Sequence, residues 1–200
     1  MGTDRPDAPA EPFGVLFVCT GNICRSPTAE AIARRELARY PGAALRVSSA
    51  GSHALEGNPA ASRTLLAAAT RGADLQRHHA RELTRRRVRA ADLILCMAEE
   101  HRPFVLAYDR SAARRTFLLA AFARAASQWE WLASSPAELV ALAAEHASRT
   151  LPGDDIDDPL GHPDEAYAAC AERLDALVTP VMTALARNLP VGPAGRQAPW

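Results

Sequence analysis

Short apolar runs alternate with longer helical stretches along this chain, and that alternation restricts the fold more than any other feature. FGVLFV (Phe13–Val18) has the length and composition of a buried strand. PTAEAIARRELARY (Pro27–Tyr40) reads as a helix, with Ser26 as N-cap, Pro27 at its first position and Glu30 in its first turn. LRVSSAG (Leu45–Gly51) is a second strand running into a glycine turn. NPAASRTLLAAATRG is a helix that Asn58 can cap and Gly72 can end. DLILCM (Asp92–Met97) is a third strand, AEEHRPFVLAY a helix after it, and RTFLL (Arg115–Leu119) a short fourth strand. The rhythm predicts an α/β fold: a parallel sheet with helices on both faces, which places ligands at the carboxyl ends of its strands.

The length of 200 residues suits one domain. The polar, proline-rich start, residues 1–12, is expected to be a flexible tail, residues 13–190 one domain, and residues 191–200 a second flexible tail. The stretch from about 121 to 152 carries Trp129 and Trp131 and a helix within SPAELVALAAEHASRT. It is expected to be an inserted, packed helix, with a lid as the alternative. LPGDDIDDPLGHPDE is a loop, and the last helix runs over roughly Glu165–Asn188, with Pro180 as a place for a kink.

Formal net charge is zero, so nothing global points to nucleic acid or an acidic membrane. Every one of the 23 basic residues is arginine, and Arg77, Arg81, Arg85, Arg86, Arg87 and Arg89 cluster; a solvated helix face is the expectation for them. No apolar run is long enough to insert into a bilayer, and no signal peptide is expected. The four cysteines, Cys19, Cys24, Cys96 and Cys170, lack paired extracellular spacing and fit free thiols in a reducing cytoplasm.

The chemistry concentrates where the first strand stops, at Cys19. Between Cys19 and Arg25 stand Thr20, Gly21, Asn22, Ile23 and Cys24. A loop this short, feeding a helix N-terminus, can curl its N–H groups inward as an anion nest. Gly21 supplies backbone freedom, and Asn22 tolerates a left-handed conformation. The same field favours thiolate over thiol at Cys19. Arg25 can grip two oxygens of a tetrahedral anion and follow them into a transition state. The Ser26 hydroxyl can bond the sulfur. The loop lacks the lysine and spacing of a nucleotide P-loop. The expected chemistry is phosphoryl transfer through a cysteinyl-phosphate. A leaving alkoxide or phenoxide then needs a separate acid, and DDIDDP offers Asp154, Asp155, Asp157 and Asp158 without distinguishing them.

With those residues the chain resembles the low-molecular-weight protein tyrosine phosphatase family. VCTGNICRSP (Val18–Pro27) matches that family's phosphate loop, and Asp158–Pro159 its late Asp-Pro; RVSSAG, HHAREL and ADLILCM agree in order. The resemblance covers about residues 13–119 and 154–180. It implies a four-stranded parallel sheet with helices on both sides, a two-step reaction without metal or cofactor, and a phosphotyrosine protein or small phosphorylated molecule as substrate. It implies Cys19 as nucleophile, Arg25 as phosphate clamp within the binding loop Thr20–Arg25, and Asp158 as general acid and then base. Asn22, Ser26, Ser49 and His78 match the positions that brace the loop. Cys24 matches a second loop cysteine that can bond the nucleophile under oxidation, as adjacent low-pKa thiols do. Cys96 and Cys170 are expected in the core.

Two departures bear on substrate. Leu160 and Gly161, then His162, stand where family members often place aromatics, so a ring-packing wall is missing or supplied differently. The stretch 121–152 is also longer than the usual connection. Four alternatives remain open at this level. An arsenate reductase would need a further close cysteine pair, and Cys96 has no such neighbour. A protein-arginine phosphatase typically has Thr where Ile23 stands. A phosphatase of a small metabolite and an inactive phosphate-binding module complete the set; intact Cys19, Arg25 and Asp158 argue against the last. Oligomeric state is not legible.

Overall fold

The computed structural model describes residues 11–146 and 150–189. The expected tails, residues 1–12 and 191–200, therefore lie almost wholly outside the described residues. Four strands form one parallel sheet: β1 (Phe13–Cys19), β2 (Leu45–Gly51), β3 (Leu93–Cys96) and β4 (Thr116–Leu118), in the order β2-β1-β3-β4. β1 is central and buried on both faces, as its unbroken apolar run requires. Its register brings Cys19 opposite Gly51 and Val18 opposite both Ala50 and Cys96, so three strands end together at one edge.

The period-two alternation of β1 separates two cores. Val15, Phe17 and Cys19 face a large cluster built with α1 (Arg25–Leu37), α2 (Ser62–Ala69), α5 (Leu119–Trp129), α6 (Pro136–His146) and α7 (Asp164–Arg187). Leu16 and Val18 face a smaller one with α3 (Arg85–Arg89) and α4 (Arg102–Tyr108). Helices thus cover both faces of the sheet. α7 runs unbroken through Pro180 and packs along α1 and α5.

The stretch after β4 is helical and packed. α5 starts directly at Leu119 and buries Phe122, Ala125 and Ala126; α6 buries Leu139, Val140 and Ala143. Trp129 stacks on His146 at 4.6 Å between ring centroids, whereas Trp131 is 74% exposed.

Two cap expectations are corrected. α1 begins at Arg25, with Cys24 at the N-cap position and no side-chain cap, so Ser26 lies inside the helix and its hydroxyl turns elsewhere. α2 begins at Ser62 behind Ala61, and the Asn58 amide instead donates to the Leu55 carbonyl. In both places the side chain expected to cap the helix bonds a partner other than the free N–H groups of its first turn.

Candidate active site

The strand end at Cys19 and the helix start at Arg25 are separated by Thr20 to Cys24, and this loop lies at the carboxyl edge of the sheet. β2 ends beside it. A Cβ on Gly51 would sit 2.3 Å from the Thr20 carbonyl oxygen, so only glycine lets the two strand ends close up. Inside the loop Asn22 adopts φ 54°, a left-handed conformation that asparagine tolerates better than most residues.

Asn22 is fully buried, and every polar group of its side chain is bonded. Its amide donates to Ser26 Oγ and to Ser49 Oγ, both at 2.9 Å, while its Oδ1 accepts from the Arg81 backbone N–H at 2.8 Å. Its backbone carbonyl accepts from His78 Nε2 at 2.7 Å. Ser49 hands its own proton on to Glu30 Oε2 at 2.6 Å. Ser26 Oγ accepts from Asn22 and lies 2.9 Å from Cys19 Sγ, a far shorter contact for its single proton than the Ala50 carbonyl at 3.5 Å. The four residues expected to brace the loop are therefore joined in one buried network. Glu30, only a first-turn acid in the sequence, is its buried end and also pairs with Arg34.

Arg25 is 4% exposed and points back across the loop. Its Nη1 donates to the Ile156 carbonyl at 3.1 Å; its Nη2 reaches Asp158 Oδ2 at 2.5 Å and Thr20 Oγ1 at 3.4 Å. Its Nε is buried without a partner among the described residues. The four acidic-loop carboxylates separate clearly. Asp154 accepts two hydrogen bonds from the Arg124 guanidinium, at 2.7 and 3.0 Å, which hold its carboxyl below the usual range. Asp155 accepts from the Glu99 N–H. Asp157 makes neither contact and lines an adjoining cavity. Only Asp158, 41% exposed, reaches Arg25.

Sequence reasoning missed His101. Its Nε2 hydrogen-bonds Thr20 Oγ1 at 3.0 Å, while its Nδ1 lies 3.0 Å from the Ala98 N–H and 3.1 Å from the Ala98 carbonyl, so the ring is held between the loop and the end of β3. Burial, then the nearby Arg25 charge, pushes its pKa down, so the neutral ring suits this role. Burial likewise lowers the pKa of His78. No local signal marks either contact, since the residues lie far apart along the chain.

The cysteines are all free thiols. The expectation of low-pKa character at Cys24 is corrected: burial pushes that thiol up to about 11. Cys96, at the end of β3, is pushed up to about 12 by burial and belongs to the core as expected. Cys170 does not. It is half-buried and lines a cavity of about 610 Å³ with Asp158, Pro159 and His162 opposite it, to which neither Cys19 nor Arg25 contributes.

A model of the low molecular weight phosphotyrosine protein phosphatase family matches residues 14–140. The chain belongs to that family. It is 42% identical over 104 residues to the low molecular weight protein-tyrosine-phosphatase Etp of Escherichia coli (strain K12), covering 52% of this chain and 67% of Etp. It is 28% identical over 167 residues to a protein-arginine-phosphatase of Geobacillus stearothermophilus, covering 84% of this chain and 92% of that protein. Among solved structures, the low molecular weight protein tyrosine phosphatase from T. tengcongensis superposes with a TM-score of 0.67 at 31% identity, covering 86% of this chain and 98% of the other.

The rim is where this member departs from the aromatic wall expected after Asp-Pro. Leu160 is exposed there, and Leu55 is exposed beside Gly21. On the Thr20 side, His53 donates its backbone N–H to the Thr20 carbonyl at 3.0 Å and meets Phe104 edge-on at 4.9 Å; Phe104 is 39% exposed. Ile23 is buried in a cluster with Ala80 and Tyr167, so its apolar surface offers a substrate ring little contact.

Proposed function

We propose that this chain hydrolyses phosphotyrosine in proteins through a cysteinyl-phosphate, with Cys19 as nucleophile, Arg25 as clamp and Asp158 as proton carrier. The observation that carries the reading is the convergence of Arg25 on Asp158 alone among four neighbouring carboxylates, at the loop that holds Cys19.

In the first step Cys19 Sγ attacks phosphorus as the bond to the tyrosyl oxygen breaks, and Asp158 gives that oxygen its proton. In the second, water attacks phosphorus, the S–P bond breaks, and Asp158 takes the water's proton. Ser26 Oγ–H stabilises the sulfur's negative charge before the first step and after the second. Arg25 Nε and the loop N–H groups from Thr20 to Arg25 serve the equatorial oxygens, whose charge the guanidinium matches in plane. A phosphate on the loop competes with Asp158 for Arg25 Nη2. Substrate binding therefore frees the carboxyl to turn to the leaving oxygen. Asn22, Ser49, Glu30, His78 and His101 act as positioning residues.

No helix among the described residues is long and apolar enough to cross a membrane. With four free thiols, a reducing cytoplasm is the compartment we assign.

Phosphate release from phosphotyrosine, phosphoserine and phosphoarginine peptides and from small phosphate monoesters, by wild type and Cys19→Ser, tests the proposal. Selective, Cys19-dependent release from phosphotyrosine is expected. Preference for phosphoarginine or for a small monoester overturns the substrate and keeps the chemistry; release that survives Cys19→Ser overturns both.

A further inference from the structure

Arginines over much of this chain meet carboxylates: Arg35 meets Asp175, Arg89 meets Asp109 and Arg124 meets Asp154. In one place, arginines without an ion pair converge. A groove of about 240 Å³ beside the edge strand β2 is lined by Arg46 of β2, Arg81 from the segment before α3, and Arg86 and Arg87 of α3. No carboxylate lines it. Among the described residues none of the four is ion-paired. Three are instead steadied by carbonyls, Arg46 on Ala90 at 3.0 Å, Arg87 on Glu82 at 3.1 Å and Arg81 on His79 at 3.4 Å, which leaves other guanidinium donors free. At the floor, a Cβ on Gly14 would stand 2.9 Å from the Ala90 carbonyl and 3.0 Å from Arg46 Nη2, so glycine leaves room for the bond between them.

Gathering like charges in a concave site costs free energy unless an anion answers them. The cost is visible at Arg87, whose pKa is lowered by burial and then by Arg81 and Arg86. The expected solvated helix face accounts for Arg85 and Arg89 but not for this convergence. None of the residues from Cys19 to Arg25 lines the groove.

We propose that this groove is a second anion site that takes a small polyanion with adjacent phosphate groups, such as a diphosphate. Four guanidinium groups around a space smaller than a drug-sized pocket suit two linked tetrahedral anions better than one. The source is either free pyrophosphate or the diphosphate of a nucleotide. The site is independent of the proposed hydrolysis, although Arg81 touches both regions: its backbone N–H is the donor that holds Asn22.

Calorimetric titration with pyrophosphate, ADP and orthophosphate tests this on wild type, Arg25→Ala and the double variant Arg46→Ser/Arg86→Ser. Arg46 and Arg86 are exposed, and an unchanged melting temperature without ligand confirms that the double variant folds. Orthovanadate, added to occupy Cys19, repeats the Arg25→Ala arm without altering a buried residue. The expected result is pyrophosphate binding that survives Arg25→Ala and vanadate, and weakens at least about tenfold in the double variant, since each lost charged donor is worth that much. ADP binding more tightly than pyrophosphate, with the same loss in the double variant, supports the site and marks a nucleotide as its source. Pyrophosphate binding that vanishes with vanadate, that is unchanged in the double variant, or that is matched by orthophosphate overturns the proposal.

Discussion

The phosphate loop and the rim around it are built on opposite principles. In the loop, Asn22, Ser26, Ser49 and Glu30 are buried and mutually bonded, so each side chain has one arrangement available. At the rim, Leu55, Phe104 and Leu160 are exposed. Chemistry that must repeat identically is placed on a satisfied network, whereas substrate choice is left to side chains that can be exchanged without disturbing it. Variants should therefore have large, coupled effects in the loop and small, substrate-dependent ones at the rim.

The largest effect is expected at Cys19. Cys19→Ser should abolish turnover while phosphate binding and the melting temperature persist, because Arg25 and the loop remain. Turnover above background would place the nucleophile elsewhere. Asp158→Asn should lower kcat by about 10²–10⁴-fold, the usual contribution of a positioned acid. The loss should be greater for alkyl phosphates than for p-nitrophenyl phosphate, whose leaving group needs no proton. An equal loss for both would restrict Asp158 to its ion pair with Arg25. Asn22→Ala removes buried hydrogen bonds and puts alanine at φ 54°, for an expected loss of about 3 kcal/mol in urea unfolding. Asn22→Gly relieves the backbone alone, so it should recover some stability but not kcat.

How much of this was legible follows from how local each contact is. β1, the loop and α1 are contiguous, and the apolar run, the Cys19-to-Arg25 spacing and the helix start are all written within one short stretch. The order β2-β1-β3-β4 follows from parallel strands joined by helices. Asp158 could not be chosen from DDIDDP because its partner lies 133 positions away, and the choice is made by Arg124 and the Glu99 N–H removing two competitors. His101 was invisible for the same reason, at 81 positions from Thr20. Ser26 was misread as a cap because serine before proline at a helix start has that local preference. Here a sulfur and an asparagine amide compete for the hydroxyl and win. Glu30 reads only as an acid near the helix start, yet the helix turns it inward onto Ser49.

The two histidines give the comparison a pH test. Burial holds both His78 and His101 below the ordinary value of 6.5. Below pH 6.5 the unfolded chain therefore binds more protons than the folded one. Stability contributed by the neutral rings is fully present above 6.5 and declines as pH falls from there toward the folded values. Urea midpoints should drop between pH 7.5 and pH 5.5, and His78→Gln should flatten that dependence. An unaltered slope would mean that His78 is not kept neutral by the loop it supports.

The smallest effects are expected outside the loop, and they separate the rim from the inserted helices. Phe104 meets His53 edge-on, and the His53 backbone is tied to Thr20. If that pair supplies the ring contact absent after Asp158–Pro159, Phe104→Ala should raise KM for a phosphotyrosine peptide several-fold, as loss of an aromatic contact of about 1 kcal/mol does. The kcat should hold, and phosphoserine hydrolysis should not change. Trp131, at 74% exposure, offers a control of equal aromatic character on the insertion. Trp131→Ala should shift stability by no more than about 0.5 kcal/mol and leave every KM unchanged. If the tryptophan rather than Phe104 moved KM for the peptide, the insertion would reach over the mouth during turnover, and substrate choice would belong to α5 and α6 instead of the rim.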